Sequence, residues 1–287
     1  MKATLGRTNN IINNIDAGLD RVRFLSGSTL KVIAAVTMFI DHFSKIVLQW
    51  LLNYYWFPMS ETGAMRLDLY LNINDFNRIV LQGIGTMAFP IFCFLLAEGF
   101  FYTRNRKRYI GMMLIFAFIS EIPFDLGFFS YLSTQDGTYP FYFRYQNVFF
   151  TLFLGLAALC CIDGFSYYGK SRTQKIKSVL LQAVGIAVMA GVAELIHCDY
   201  ESRGVLFIAA FYVCRRNRIY QILLFLLIYI ISTGNQPTAF MLFSCLLIML
   251  YNGQRGKLKL KYFFYIFYPL HLAILYITTI LLEWLLI

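Results

Sequence analysis

LKVIAAVTMFIDHFSKIVLQWLL, residues 30–52, is the stretch that decides the fold. From Lys31 to about Leu52 it has the roughly 20 predominantly apolar residues that a helix needs to cross a bilayer. Yet Asp41 and His42 stand side by side near its centre, with Lys45 one turn further on. Ionisable groups at that depth are costly in lipid, so they face the protein interior and mark pathways or reactive sites. Lys31 lies eleven residues before His42. Three helical turns put the two on nearly one face, roughly 16 Å apart along the axis. Asp41 and Lys45 have the i,i+4 spacing of an ion pair, which lowers the cost of both charges. His42 is then free to titrate near neutral pH, as a general base must. A structural ion pair beside a packed histidine is the plainer reading. Three ionisable groups in one span favour a reactive site.

The rest of the chain has the same character. Of 287 residues 59% are hydrophobic and 14% charged, and the mean hydropathy is +0.61. A soluble domain of this length carries about a quarter charged residues. Long, nearly uncharged runs recur from end to end, and no alternating segments of about ten residues suggest a β-barrel. The expected fold class is all-α: a polytopic transmembrane helical bundle. Nine apolar segments are predicted, near 31–52, 78–102, 109–128, 146–164, 178–197, 204–214, 218–232, 238–251 and 262–286. The three between 204 and 251 are shorter than a perpendicular span and read as short helices deep in the bundle, or as a re-entrant piece. The chain divides into residues 1–29 and a membrane domain over 30–287. The first part is polar and Asn-rich, so no cleavable signal peptide is expected there. Its Ile11, Ile12, Ile15, Leu19 and Val22 have helical spacing, which suits an interfacial helix under the bundle; a floppy tail is the alternative.

A net charge of +10 would raise nucleic-acid binding in a soluble protein. Here topology explains it better, and no nucleic-acid partner is expected. The basic residues form short clusters: Lys2, Arg7, Arg21, Arg23 and Lys31; Arg104, Arg106, Lys107 and Arg108; Lys170, Arg172, Lys175 and Lys177; Arg215, Arg216 and Arg218; Arg255, Lys257, Lys259 and Lys261. If every segment spans, all of them fall on one side, which the positive-inside rule makes cytoplasmic. The N-terminus is then cytoplasmic, in a bacterial inner membrane, and the C-terminus outside. Residues 53–77 and 129–145 become the largest outer loops, aromatic-rich and able to cover an outer cavity. The six cysteines show no CxxC pair or zinc spacing, and no metal is expected.

Other ionisable groups lie near the predicted spans. Glu98 is near the inner end of the second; Glu121 and Asp125 flank Pro123 in the third; Asp199 follows the fifth; His271 follows Pro269 in the last. Each alone is as readily a packing or capping group as a catalytic one. Residues Arg104–Arg108 suit any cytoplasmic loop, and would also suit docking of a phosphorylated donor.

Several runs resemble one known family. LKVIAAVTMFIDH (30–42), GTMAFPIFCFLLAEGFFYTRNRKRY (85–109), SEIPFDL (120–126), QNVFFTLFLG (146–155), DYESRGVL (199–206) and KYFFYIFYPLHL (261–272) resemble the TraX family, named for the enzyme that N-acetylates F-pilin. The resemblance covers residue 28 to the C-terminus. The spacing of Lys31 and His42 is also similar to the Arg/Lys-x10-His signature of the wider transmembrane acyltransferase superfamily. That group includes bacterial polysaccharide O-acetyltransferases and the lysosomal heparan glucosaminide N-acetyltransferase.

The resemblance implies an acetyl-CoA-dependent acyltransferase with His42 as the catalytic imidazole. Asp41, Glu121 and Asp125 are candidates to support the ring. Lys31, Arg104, Arg106, Lys107 and Arg108 would hold the donor's phosphates. Lys45, Glu98, Asn147, Asp199 and His271 fall on motif positions of less defined role, and Lys45 is a candidate oxyanion cation. Two departures stand out: Thr86-Met87 occurs where Arg-Leu is expected, and Glu201 replaces a glycine. Acyl-CoA is a nucleotide head on a thin arm, comparable in length with the ~16 Å from Lys31 to His42. The acceptor would be an extracytoplasmic peptide, glycan or small amine. A proton-coupled transporter, with Asp41, His42, Glu98 and Glu121 as its relay, is the competing class. The two halves of the chain show no convincing repeat, which counts against it. A non-catalytic membrane scaffold is a third reading, poorly suited to three ionisable groups in one span.

Overall fold

A computed structural model of the chain describes residues 2–63, 66–166, 171–258 and 262–286. Lys170, Lys259 and Lys261 of the basic clusters lie outside the described residues. Among the described residues ten α-helical stretches follow one another, with a short 3-10 turn at Asp20–Val22 after the first: α1 (Lys2–Leu19), α2 (Gly27–Glu61), α3 (Leu67–Tyr102), α4 (Arg106–Gln135), α5 (Val148–Gly164), α6 (Arg172–Leu195), α7 (Glu201–Val213), α8 (Arg218–Thr233), α9 (Ala239–Met249) and α10 (Phe263–Leu286). Extended pairing among the described residues is confined to two isolated bridges, Leu25 with Tyr251 and Gln146 with Cys198.

Among the described residues five helices, α2, α3, α4, α6 and α10, are long and apolar enough to cross a membrane. The apolar helices α5, α8 and α9 are shorter. At 1.5 Å per residue the 11 residues of α9 reach about half of a ~30 Å hydrocarbon core. Helix α7 is the most enclosed. Phe207, Ile208, Phe211 and Tyr212 are each at most 4% exposed, with α5, α6, α8 and α3 packed around it. Its approach to α5 requires a small residue, because a Cβ on Gly155 would lie 2.3 Å from Ile208 Cδ1. Close backbone approach of this kind is how membrane helices gain packing energy when lipid offers no hydrophobic drive.

The expected outer loop at 53–77 is mostly helix. Helix α2 continues to Glu61 and α3 begins at Leu67, so the two form a long hairpin. Polar bonds join the two at the base of the hairpin: Ser44 Oγ donates to Asn77 Oδ1 (2.5 Å) and Asn77 Nδ2 to Gln49 Oε1 (3.2 Å), while within α2 Gln49 Nε2 donates to Asn53 Oδ1 (2.9 Å). Asn77 is fully buried, and these bonds offset its desolvation. Helix α4 likewise runs to Gln135, well into the second expected loop.

Helices α2 and α3 are not uniform. Widened, π-type turns occupy Ser44–Leu48, Leu51–Trp56 and Asn77–Leu81. The first starts two residues after His42, and such bulges re-aim side chains and recur at functional sites. In α3 a turn at Thr86–Met87 separates the hairpin from the apolar stretch Ala88–Tyr102. Helix α1 docks through polar contacts: Asn217 Nδ2 donates to Asn13 Oδ1 (2.8 Å), and Asp16 binds Arg23 (2.5 Å) and the Arg218 N–H (3.2 Å). Ile11 and Ile15 stay half exposed.

Candidate active site

His42 comes from α2 just before its π-type turn, and His271 from α10 two residues after Pro269. Their rings are nearly parallel, 6° apart, with His42 Nδ1 and His271 Nε2 separated by 2.7 Å. His271 Nδ1 lies 2.7 Å from the Phe267 carbonyl oxygen. A carbonyl only accepts, so Nδ1 of His271 carries its proton. In the uncharged pair His271 Nε2 is therefore the acceptor, and His42 Nδ1 donates to it. The lone pair of His42 is left on Nε2, which faces Asp41 Oδ2 at 4.0 Å. Phe128 and Tyr268 hold the His42 ring edge-on, with centroids 5.4 and 5.9 Å away.

Asp41 pairs with Lys45 at 2.8 Å, as the i,i+4 spacing predicts. The carboxylate fits because residue 85 is glycine: a Cβ there would lie 2.3 Å from Asp41 Oδ1. Asp199 is within electrostatic reach of both Lys45 and Asp41. Lys45 thus stands among two carboxylates. Asp199 and Tyr200 are presented by a strained segment, with positive φ at His197 (49°), Tyr200 (64°) and Glu201 (46°). Such backbone is disfavoured for side-chain-bearing residues and persists where the surroundings impose it. The restraints here are the Gln146–Cys198 bridge, with Gln146 N–H to His197 O at 3.1 Å and Asp199 N–H to Gln146 O at 2.8 Å. Thr151 Oγ also donates to the Asp199 carbonyl, and Tyr200 stacks on Phe89 at 3.5 Å. Glu201, at the position where the resemblance leads one to expect glycine, has φ 46°, a conformation glycine adopts at ease.

Asp41, His42, Lys45, Asp199, Tyr200 and Tyr268 line one cavity of about 390 Å³, with His271 behind His42 and outside its wall. Its wall on α2 includes Lys31, Met38, Asp41, His42 and Lys45. Lys31 to Lys45 is about 21 Å of helix. The α3 wall runs antiparallel, from Gly85 beside Asp41 to Gly99 beside Tyr109. At one end Lys31 lies 5.8 Å over the Phe264 ring, with Arg255 as a charged neighbour. At the other end stand Asp41, Lys45, Asp199 and Tyr200. Phe124, Phe128, Phe129, Phe149 and Leu152 make the apolar flank between them.

Other sequence candidates lie elsewhere. Glu121 accepts from the Asn147 N–H (3.3 Å) and from Asn147 Nδ2, which also donates to the Ala117 carbonyl at 2.7 Å. Asn147 Oδ1 caps α5 through the Phe149 N–H (2.9 Å). Asp125 accepts from the Tyr142 N–H at 2.8 Å. These three tie the 136–147 connection to α4, and the hydrogen-bonded partner of His42 is His271. Arg106 pairs with Asp163 at 2.7 Å and lies over Phe100. Arg108 reaches the Tyr262 hydroxyl at 3.3 Å. Arg104 and Lys107 are exposed. Of the five basic candidates, Lys31 alone is in the cavity wall. Glu98 is half-buried beside Arg218, whose guanidinium covers Phe94 and Tyr251. Sequence reasoning missed Gly85, Phe128 and Tyr268. The i,i+3 spacing of Tyr268 and His271 across Pro269 is the one signal that groups any of them.

A helical bundle of membrane-crossing length around a largely apolar cavity that carries His42, Asp41, Lys45 and Asp199 defines a membrane protein with a chemically equipped interior. The chain belongs to the TraX family, which matches residues 26–279 under the description "TraX protein". It is also similar to the "Probable fimbrial assembly protein FimC, serogroup H1" of Dichelobacter nodosus, 27% identical over 266 residues, covering 87% of this chain and 94% of that relative. No solved structure matches.

Proposed function

We propose that this chain is a membrane-embedded acyltransferase. It takes an acyl group, acetyl in the simplest case, from acyl-CoA at the Lys31 end of the cavity. A hydroxyl or amine acceptor enters at the Asp41–Asp199 end. The observation that carries this reading is the junction of one cavity with one lone pair: the His271–Phe267 hydrogen-bond chain leaves His42 Nε2 as a base beside the space that connects the two ends. The donor's phosphates stay at the mouth with Lys31, and its thin arm occupies the channel along α2 and α3. His42 Nε2 takes the acceptor's proton as the acceptor attacks the thioester carbon. It returns that proton to the departing thiolate as the C–S bond breaks. His271 and Asp41 stabilise the imidazolium formed between these steps.

The clustering of basic residues supports a cytoplasmic mouth and an extracytoplasmic acceptor, in a bacterial inner membrane. The relative's name, a probable fimbrial assembly protein, supports an acceptor that belongs to surface-fibre assembly; a peptide, a glycan and a small amine all fit the chemistry. A proton-coupled transporter fits less well, because the chain from His42 ends on a backbone carbonyl and passes no proton onward. The deciding measurement uses purified protein in bilayer nanodiscs with acetyl-CoA and amine or hydroxyl acceptors. Thioester consumption that disappears in His42→Gln is the expected result. Proton-coupled solute uptake without thioester consumption would replace this reading with the transporter.

A further inference from the structure

Tyr268 has no task in the scheme above, yet it is 3% exposed and lines the cavity. Its ring meets His42 edge-on at 5.9 Å and His271 at 5.6 Å. The hydroxyl oxygen lies beside the Val148 N–H at the start of α5, and Asp41 and Asp199 are among its charged neighbours. The lone-pair nitrogen of His42 faces the same Asp41. Among the described residues the Tyr268 hydroxyl donates to no protein group. A buried hydroxyl with an idle proton, open to a cavity, is built for a ligand acceptor. Lys45, the cation expected in that role, is already paired with Asp41 at 2.8 Å.

We infer that Tyr268 is the oxyanion donor of this site, hydrogen-bonding the acyl carbonyl oxygen of a thioester whose carbon is attacked beside His42. This rests on the acyltransfer reading. As the acceptor's lone pair forms its bond to the carbonyl carbon, the C=O π pair moves onto oxygen and the Tyr268 O–H holds it. When that pair returns, the C–S bond breaks and the thiolate takes the proton from His42 Nε2. The phenol keeps its own proton throughout. The helix that supplies His271 therefore supplies both the group that sets the base and the group that receives the negative charge.

The test compares wild type, His42→Gln and Tyr268→Phe in nanodiscs. Two quantities are read: kcat for acetyl-CoA consumption, and affinity for a non-transferable thioether analogue of acetyl-CoA that has no carbonyl at the reacting position. Tyr268→Phe should lower kcat by roughly 10²–10³-fold, as loss of one oxyanion donor does, with analogue affinity within threefold of wild type. Wild-type kcat in Tyr268→Phe, with His42→Gln inactive, overturns the Tyr268 assignment alone. Loss of analogue binding overturns it in favour of a packing role. A wild-type protein that consumes no thioester overturns the acyltransfer reading and this assignment together. Should Tyr268→Phe fail to fold, a fluorotyrosine at position 268 reads the same quantity: kcat that follows phenol acidity supports the assignment, and kcat indifferent to it does not.

Discussion

Gly85 and Asp41 are in such close contact that a Cβ on Gly85 would lie 2.3 Å from Oδ1 and 2.4 Å from Cβ of Asp41. The contact joins α3 to α2 immediately before the Thr86–Met87 turn, and it sets where the Asp41–Lys45 pair stands relative to His42.

Gly85→Ala is therefore a sign-deciding substitution. In a helix, alanine is ordinarily better than glycine by about 1 kcal/mol. Here the added methyl must displace a carboxylate that is 14% exposed, and overpacking costs about 1–3 kcal/mol. Thermal unfolding in detergent should show Gly85→Ala less stable than wild type, and its thioester consumption should fall at least tenfold. A stabilised, fully active variant would mean that Asp41 can move without consequence.

Removing the acceptor on His42 Nδ1 should release its tautomer. His271→Leu keeps volume but offers no lone pair. Loss of tautomer control of a catalytic imidazole lowers kcat by about 10²–10⁴-fold, so kcat should drop in that range with KM for acetyl-CoA little changed. A steady-state series against His42→Gln checks this. Equal KM and kcat in His271→Leu and wild type would reduce the pair to packing.

Lys31 and the 104–108 cluster should separate cleanly. A lost charge-assisted hydrogen bond is worth about 1.5–3 kcal/mol, so Lys31→Met should raise KM for acetyl-CoA by roughly 10–100-fold at unchanged kcat. Arg104→Ala and Lys107→Ala, exposed and away from the cavity wall, should change KM less than threefold. The reverse pattern would move the donor's phosphates to the cluster.

Asn147 should behave as a support. Asn147→Ala uncaps α5, which costs about 1 kcal/mol. It also removes the side-chain N–H donor to the half-buried Glu121, which keeps the backbone N–H of residue 147, and to the Ala117 carbonyl, at about 1 kcal/mol each. The expected outcome is a lower yield of folded protein, with kcat per folded molecule within threefold of wild type, read by size-exclusion chromatography and active-site titration with the thioether analogue.

The membrane class, the all-helical fold, the Asp41–Lys45 pair and the alignment of Lys31 with His42 along one helix were legible in the chain itself. Each depends on hydropathy or on spacing within one helix, and helical geometry converts such spacing into contact without help from the rest of the molecule. The hairpin across residues 53–77 was not legible, because the Ser44–Asn77 and Gln49–Asn77 bonds that join its two helices are long-range. The same limit applied to the site. Glu121 and Asp125 were the expected supports of His42 and His271 had no defined role, since carboxylates near a proline in a span have no address until helices pack. Packing assigned them to Asn147 and Tyr142 and brought His271 across 229 positions to 2.7 Å from His42. Sequence determined which groups were expensive to bury. Tertiary structure decided which of them meet, because a hydrogen bond forms only where two helices bring donor and acceptor within about 3 Å.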